Sequence, residues 1–350
     1  MSNYFYKDKP IVGLDISQTS LKIMAINRQK WTVLGYGSLD VDPSKMQQSL
    51  DGDGSYLAEQ LQVLLSSKLV GTLPSDHVIM SIPTSRTYTR NISLPGDVKG
   101  DLLDTMRLEA EQYIPVAVDQ LYIDYEITSR TEKAITAYMC AAPKHIVDTC
   151  IEAATRAGLR TIVVEPSMNA VTRLLKVSEQ GDLPTVIVDI GAANTDVAVL
   201  DSVIKVTGGI AVGGNTLTLD ISSQLKVSLE QAHQLKVLHG LNHSAQQKKL
   251  VKASAPSLDK MIAEVKKVMR YYEERVPDAR KLEQVLIIGG GSSMPGLGDY
   301  FTEKLFLASR VASPWQRLDF AKLPQPARQF KPRYISVAGL AYVQPKEIWR

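Results

Sequence analysis

Two short stretches of the chain repeat one another half its length apart: Val12-Gly13-Leu14-Asp15-Ile16-Ser17 and Val186-Ile187-Val188-Asp189-Ile190-Gly191. Each is an apolar run that closes on an aspartate and a tight turn. A second apolar run then resumes, from Leu21 to Ile26 in one copy and from Thr195 to Leu200 in the other. The offsets match as well, since Lys22 follows Asp15 by seven residues and Asp196 follows Asp189 by seven. A strand–Asp–turn–strand unit used twice predicts two related subdomains facing each other across a cleft. A shared anionic ligand is the simplest reason for two such hairpins.

A chain of 350 residues exceeds one ordinary core and predicts two or three domains. Its 44% hydrophobic and 22% charged residues exclude disordered and fibrous classes. A net charge of +3 without a long single-sign run disfavours nucleic acid as the main partner; Gln247-Lys248-Lys249 with Lys252 reads as a solvated loop or helix end. Cys140 and Cys150 fit neither a metal spacing nor a C-x-x-C pair, so both read as inert thiols in a reducing compartment. Met1 to Asp8 lacks the apolar core of a signal peptide, and no apolar run reaches the ~18–20 residues that span a bilayer. These features predict a cytoplasmic protein that meets a membrane only indirectly.

Periodicity places helices at residues 55–68, 145–157, 168–176, 216–225, 229–238, 258–273 and 297–305. A further helix carries Leu102, Leu103, Met106, Ala110, Glu109 and Glu111 and stops at Pro115. Strands are predicted at 77–83, 86–94, 121–128, 134–142 and 285–288. Strands and helices from about 80 to 160 predict a small α+β subdomain inserted between the two repeats. The pattern divides the chain at 1–80, 81–160 and 161–350.

The first hairpin puts Asp15 at the carboxyl edge of a sheet, where α/β folds bind ligands. Its turn, Ser17, Gln18, Thr19 and Ser20, offers amides and hydroxyls to a phosphate, and Lys22 adds a cation. The second hairpin supplies Gly191, Ala192, Asn194 and Thr195, small residues where a backbone approaches a ligand. Asp15 and Asp189 facing one another suit Mg2+ held through water. Ile287-Ile288-Gly289-Gly290-Gly291-Ser292 lets a backbone lie flat against a ligand ahead of a helix N-terminus. On the helix from Leu258, Glu264, Lys267 and Tyr271 form a polar stripe apart from the apolar face.

In this order and at this length, these motifs resemble the actin-like ATPase superfamily. The hairpins resemble its two phosphate loops, and residues 287–291 its adenosine loop. Residues 161–166 and 336–341 are similar to its two connectors. Ile82-Pro83, Arg90 to Pro95, Glu109-Ala110-Glu111-Gln112-Tyr113-Ile114-Pro115, Asp124-Tyr125, Glu165-Pro166-Ser167 and Gly208-Gly209 with Gly213-Gly214 resemble the PilM family of type IV pilus assembly proteins. The resemblance implies an α/β actin-like (ribonuclease H-like) fold, two lobes around a nucleotide cleft with the small insert, and ATP with Mg2+ as cofactors. It implies Asp15 and Asp189 as Mg2+ positions. Lys22, Ser17, Gln18, Thr19, Ser20, Gly191, Ala192, Asn194, Thr195, Gly213 and Gly214 would lie around the phosphates. Glu264 and Lys267 would meet ribose and base, while Gly290, Gly291 and Ser292 line the nucleotide. Glu165, with Asp15 and Asp189, completes the implied catalytic set by orienting water. Ser17 replaces a frequent glycine, a departure that bears on hydrolysis more than on binding.

The function so implied is an ATP-binding scaffold of the pilus inner-membrane platform. Its partner is the cytoplasmic N-terminal tail of a PilN-like membrane protein, lying near the Ile82–Leu94 strand and the 98–113 helix. Pilus motor ATPases and further copies of the chain are the other partners implied. An FtsA-like division tether wants an amphipathic C-terminal helix, and Val343 to Arg350 is short and broken by Pro345. A small-molecule kinase of the superfamily wants a second substrate pocket, for which no insertion stands out.

Overall fold

The computed structural model describes residues 11–97, 101–179, 181–242, 246–277, 279–344 and Ile348. Residues 98–100 of the expected groove helix, the N-terminal stretch and most of the C-terminal tail lie outside the described residues. The chain divides into two compact units. The first runs to Ser178 and adds Gln316–Gln325 and the stretch from Ser336; the second takes Glu179–Trp315 and Pro326–Ile335.

The first unit is built on β1 (Val12–Ile16), β2 (Ser20–Asn27), β3 (Thr32–Asp40), α1 (Pro43–Asp51), α2 (Ser55–Ser67), β4 (Leu69–Gly71) and β5 (His77–Ile82). An insert follows: β6 (Tyr88–Pro95), α3 (Leu102–Glu111), β7 (Leu121–Arg130) and β8 (Ala134–Pro143). The chain returns through α4 (Lys144–Arg156), β9 (Arg160–Pro166) and α5 (Ser167–Ser178). The main sheet has the order β4-β3-β2-β1-β5-β9. β1, β5 and β9 are parallel, so each carboxyl end reaches the same edge. Even-numbered apolar residues of β1 pack with Met46, Leu57, Leu61, Ile146 and Cys150 from α1, α2 and α4. The other face is closed by Ala170 of α5 and by Leu340.

The insert has its own sheet, β6-β8-β7, and its own core of Ile92, Leu94, Met106, Ala110, Ile114, Leu121 and Met139. It occupies residues 88–143, narrower than the expected 81–160, because α4 buries its apolar stripe in the main core instead. α3 ends at Glu111, ahead of Pro115, with Asp101 accepting the Leu103 amide at its start.

The second unit contains β10 (Thr185–Ile190), β11 (Thr195–Asp201), β12 (Val203–Ile210), α6 (Gly214–Leu225), α7 (Leu229–Leu238), α8 (Gln247–Arg275), β13 (Gln284–Ile288), α9 (Leu297–Leu305) and β14 (Ser309–Val311). Its sheet order is β12-β11-β10-β13-β14. Val186, Val188, Ile190, Val197 and Val199 pack against Leu258, Met261, Val265 and Tyr272 of α8 and Phe301 of α9. This unit begins at Glu179 rather than at residue 161. Residues 160–166 pair in parallel with β5, which draws β9 and α5 into the first unit. The last helix, α10 (Ile335–Ala341), packs on β1, where a Cβ on Gly13 would strike the Val337 carbonyl.

α8 is longer than periodicity predicts and runs through Pro256. The proline has no amide to return to the preceding turn. The next amide, Ser257 N, donates at 3.1 Å to Asp220 Oδ2 on α6, so that donor finds its acceptor outside the helix.

Candidate functional site

In the first unit, register decides which side chains meet. Asp15 on β1 is the partner of Ser81 on β5, and Ser81 is the partner of Glu165 on β9. The three stand in a row along the carboxyl edge, on the face away from α1 and α2. Asp15 is also the antiparallel partner of Lys22 on β2. Lys22 Nζ donates to Asp15 Oδ2 at 2.7 Å, and Ser81 Oγ donates to Asp15 Oδ1 at 2.7 Å. Asp15 and Lys22 are both buried, and each carries the opposite charge the other needs.

The turn after Asp15 is closed by Ser17, whose amide and hydroxyl both donate to the Ser20 carbonyl, at 3.0 and 2.9 Å. Ser17 Oγ also accepts the Ser20 amide at 3.1 Å. The departure from glycine therefore tightens the turn. The turn's own bonds use the amides of Ser17 and Ser20 and leave out those of Gln18 and Thr19, as in an anion nest.

Glu165 is clamped. Its Oε1 and Oε2 accept from Arg173 Nη1 and Nη2 at 2.8 and 2.7 Å. Arg173 Nη1 donates as well to the Gly339 carbonyl at 3.1 Å. α5 starts directly after β9, which brings Arg173 back beside the strand end.

The second unit repeats the hairpin with one change of charge. Asp189 and Asp196 are direct antiparallel partners, so two carboxylates stand where the first unit has Asp15 and Lys22. Asn194 Nδ2 donates to Asp196 Oδ2 at 2.8 Å. A Cβ on Gly289 would collide with Asp189 Oδ1, which accounts for glycine there; its φ of +83° is a second reason. The hairpin turn bonds Gly191 N to Asn194 O at 2.9 Å and leaves the amides of Ala192, Ala193 and Asn194 outside its own bonds.

The start of α6 lies on this turn. Gly214 N donates to Gly191 O at 2.9 Å and Asn215 N to Ala192 O at 2.8 Å. A Cβ on Gly213 would lie 2.6 Å from the Ala192 carbonyl, so the approach requires a bare backbone. Residues 290–293 form a 3-10 turn after Gly289 in which Ser292 Oγ donates to Gly289 O at 2.7 Å and Ser293 Oγ to Gly290 O at 2.9 Å. Ser292 and Thr195 spend their hydroxyl hydrogens on the protein, the latter on Val212 O at 2.7 Å. Gly290 passes Arg333, and Gly291 rests on Ile190.

Sequence reasoning missed Lys236. Its Nζ donates to Gly214 O and to Thr218 Oγ1, both at 2.7 Å, and the residue is 8% exposed. A Cβ on Gly214 would lie 3.7 Å from this nitrogen and 3.8 Å from the Cα of Gly291. Among the described residues no carboxylate lies within ion-pair distance, and burial pulls the ammonium down to about 8. A visible signal existed: Lys236 stands four residues after buried Ala232 on the inner stripe of α7. The unit thus sets an ammonium and spare amides beside a paired carboxylate edge, a donor set for a polyanion that brings its own cation.

Glu264 and Lys267, expected to meet ribose and base, stand on α8 and pair with one another. Lys267 Nζ is 3.1 Å from Glu264 Oε2, and Glu264 lies against Gly208 on the α8 side of β12. The adjacent Gly209 points the other way, toward Asp196. Arg107, Glu111, Ile114, Pro115 and Val118 of the insert, with Lys144 at the start of α4, border an open groove of ≈ 710 Å³. Lys144 Nζ is held there by Asp119 O at 2.7 Å, and β7 forms one free edge of the small sheet. The groove meets the carboxyl end of α3 at Arg107 and Glu111 and takes none of its lining from the Ile82–Leu94 strand expected for a partner. Among the described residues no helix is long and apolar enough to cross a membrane.

A family model described as type IV pilus assembly protein PilM matches residues 13–344. The cell division protein FtsA of Neisseria meningitidis serogroup B is 34% identical over 98 residues, 27% of this chain and 22% of that relative. The match to FtsA of Enterococcus faecalis is 28% identical over 177 residues, 45% of this chain and 40% of that relative. The chain thus spans less than half of either relative. A solved PilM–PilN type IV pilus biogenesis complex superposes with a TM-score of 0.76 at 21% identity, over 95% of this chain and 97% of that one. MreB 5 of Spiroplasma citri bound to AMPPNP superposes at 0.54 with 13% identity, over 95% of each chain. The fold is that of the actin-like ATPases.

Proposed function

The chain belongs to the PilM family of type IV pilus assembly proteins, and from that premise we propose that it is an ATP-binding scaffold that holds the cytoplasmic tail of a PilN-like membrane protein. One observation carries the nucleotide half: the buried Lys236 ammonium, with neutral protein acceptors, beside Gly214 and Gly291 and the spare amides of residues 192–194. A buried cation without a counter-charge is costly, and a polyanionic ligand offsets that cost. On this reading Gly191, Ala192, Asn194, Gly213 and Gly214 serve the phosphates in the second unit, with Gly290 and Gly291 along the nucleotide. In the first unit the Gln18 and Thr19 amides and Lys22 are the phosphate-binding donors. Asp189 beside Asp196 would hold Mg2+ through water, which suits its hydration. The metal would supply charge neutralisation on the phosphates.

The partner half rests on the insert. Its groove combines apolar lining from Ile114, Pro115 and Val118 with the charged Arg107, Lys144 and Glu111, which suits an extended peptide. The neighbouring free edge of β7 offers backbone donors and acceptors to such a strand.

Calorimetric or dye-based melting tests the nucleotide half. Mg-ATP at roughly a hundredfold excess over Kd adds about 2.7 kcal/mol of stability and raises Tm, and Asp189→Ala and Lys236→Met shrink that shift. An unmoved Tm in the unmutated chain would sink nucleotide binding. A synthetic tail peptide from the PilN-like protein should bind by fluorescence anisotropy, with Arg107→Glu, an exposed residue of the groove wall, weakening the signal.

A further inference from the structure

The clamp on Glu165 is more than a surface ion pair. Glu165 belongs to the same carboxyl-edge row as Asp15 and Ser81, yet both of its oxygens are engaged by one guanidinium. The side chains of Glu165 and Arg173 are 11% and 26% exposed, and the Gly339 carbonyl fixes the guanidinium from α10. A planar fork meeting a carboxylate in this way takes one in-plane lone pair from each oxygen and sets the orientation of the group.

We propose that Arg173 is a positioning residue that keeps Glu165 from accepting a proton from water, so that bound ATP is held rather than spent. This rests on the nucleotide reading above. Hydrolysis joins a water oxygen to the terminal phosphorus and breaks the bond from that phosphorus to the bridging oxygen. The products are ADP and inorganic phosphate, and the proton released by water passes to a base and then to solvent. A carboxylate at the strand edge is suited to that base role only when an oxygen can turn toward the water. In the clamped arrangement neither oxygen turns without parting from Arg173. A nucleotide that stays intact acts as a structural ligand, stabilising the fold that binds it for as long as it remains bound.

The test compares the unmutated chain with Arg173→Met, Arg173→Lys and the double variant Arg173→Met/Glu165→Gln. Three quantities are read: phosphate release with Mg-ATP, affinity for AMPPNP, and the ratio of ATP to ADP recovered from the purified protein. Arg173→Met is expected to raise phosphate release by roughly 10–100-fold, reaching the low end of general-base contributions. Its AMPPNP affinity should be unchanged within about twofold, a change of under ~0.5 kcal/mol. The nucleotide recovered from it should shift toward ADP, and the added Glu165→Gln change should return both readouts to their starting values. Arg173→Lys keeps the charge but not the fork, and should fall between. It decides the matter if the methionine variant does not fold. Folded variants that bind AMPPNP normally but release phosphate no faster overturn the clamp. A chain that binds no AMPPNP overturns the nucleotide reading first, and the clamp with it.

Discussion

At the scale of single residues, the two hairpins share a backbone and differ in charge. Asp15 has Lys22 beside it, while Asp189 has Asp196. The aspartates were legible because each closes a local run of apolar residues, and a strand end needs no tertiary information to be seen. Lys236 was only half legible: its place on the inner stripe of α7 can be read from spacing, but its burial depends on α6 and α7 packing together. Glu165 was visible as a candidate, but its clamp was not, because Arg173 reaches it only once α5 folds back on β9. Lys236 carries a pH prediction. Burial lowers its pKa from 10.5 to about 8. Below that value the ammonium is charged in both the folded and unfolded chain. Between about 8 and 10.5 the unfolded chain binds the extra proton, so the free protein gains stability as pH rises through that window. A bound polyanion favours the charged form, so AMPPNP affinity falls as pH climbs past about 8. Titration calorimetry across pH 7–9.5, an interval set at roughly 1–1.5 units either side of that pKa, should show the fall. Lys236→Met should flatten it.

Among the elements, close backbone approaches position the site. α5 and α10 meet where Gly339 touches the Ala170 carbonyl, a contact that leaves no room for any Cβ. The same residue's carbonyl receives Arg173, so packing and clamp share one crossing point. Gly339→Val should cost about 1–3 kcal/mol, the usual range for overpacking a close-packed interior. Denaturant unfolding checks this, with a lower midpoint at unchanged slope expected; an unchanged midpoint would contradict the crossing. Helix periodicity located α2, α4, α6, α7 and α9 within a residue or two. It failed on α8, where the predicted start at 258 leaves out the turns ahead of Pro256, and the Asp220 carboxylate that receives the Ser257 amide comes from another helix. Short edge strands such as β4 and β14 carry too little pattern to be seen at all.

At the scale of the whole molecule, the boundary placed at 161 moved to Glu179 because strand pairing, not sequence spacing, assigns β9 to its sheet. Parallel neighbours need a crossover, and α4 supplies it between β5 and β9. The insert of residues 88–143 therefore hangs in the β5-to-α4 connection, at the carboxyl edge that carries Asp15, Ser81 and Glu165. A chain with 88–143 replaced by a short Gly/Ser linker should keep its main core, retain the Mg-ATP shift in Tm and lose the tail peptide. Loss of both together would show that the insert is part of the nucleotide-binding body. The topology makes this segment a cassette: it enters and leaves through one connection, so its partner can be exchanged in evolution without rewriting a single strand pairing beneath it.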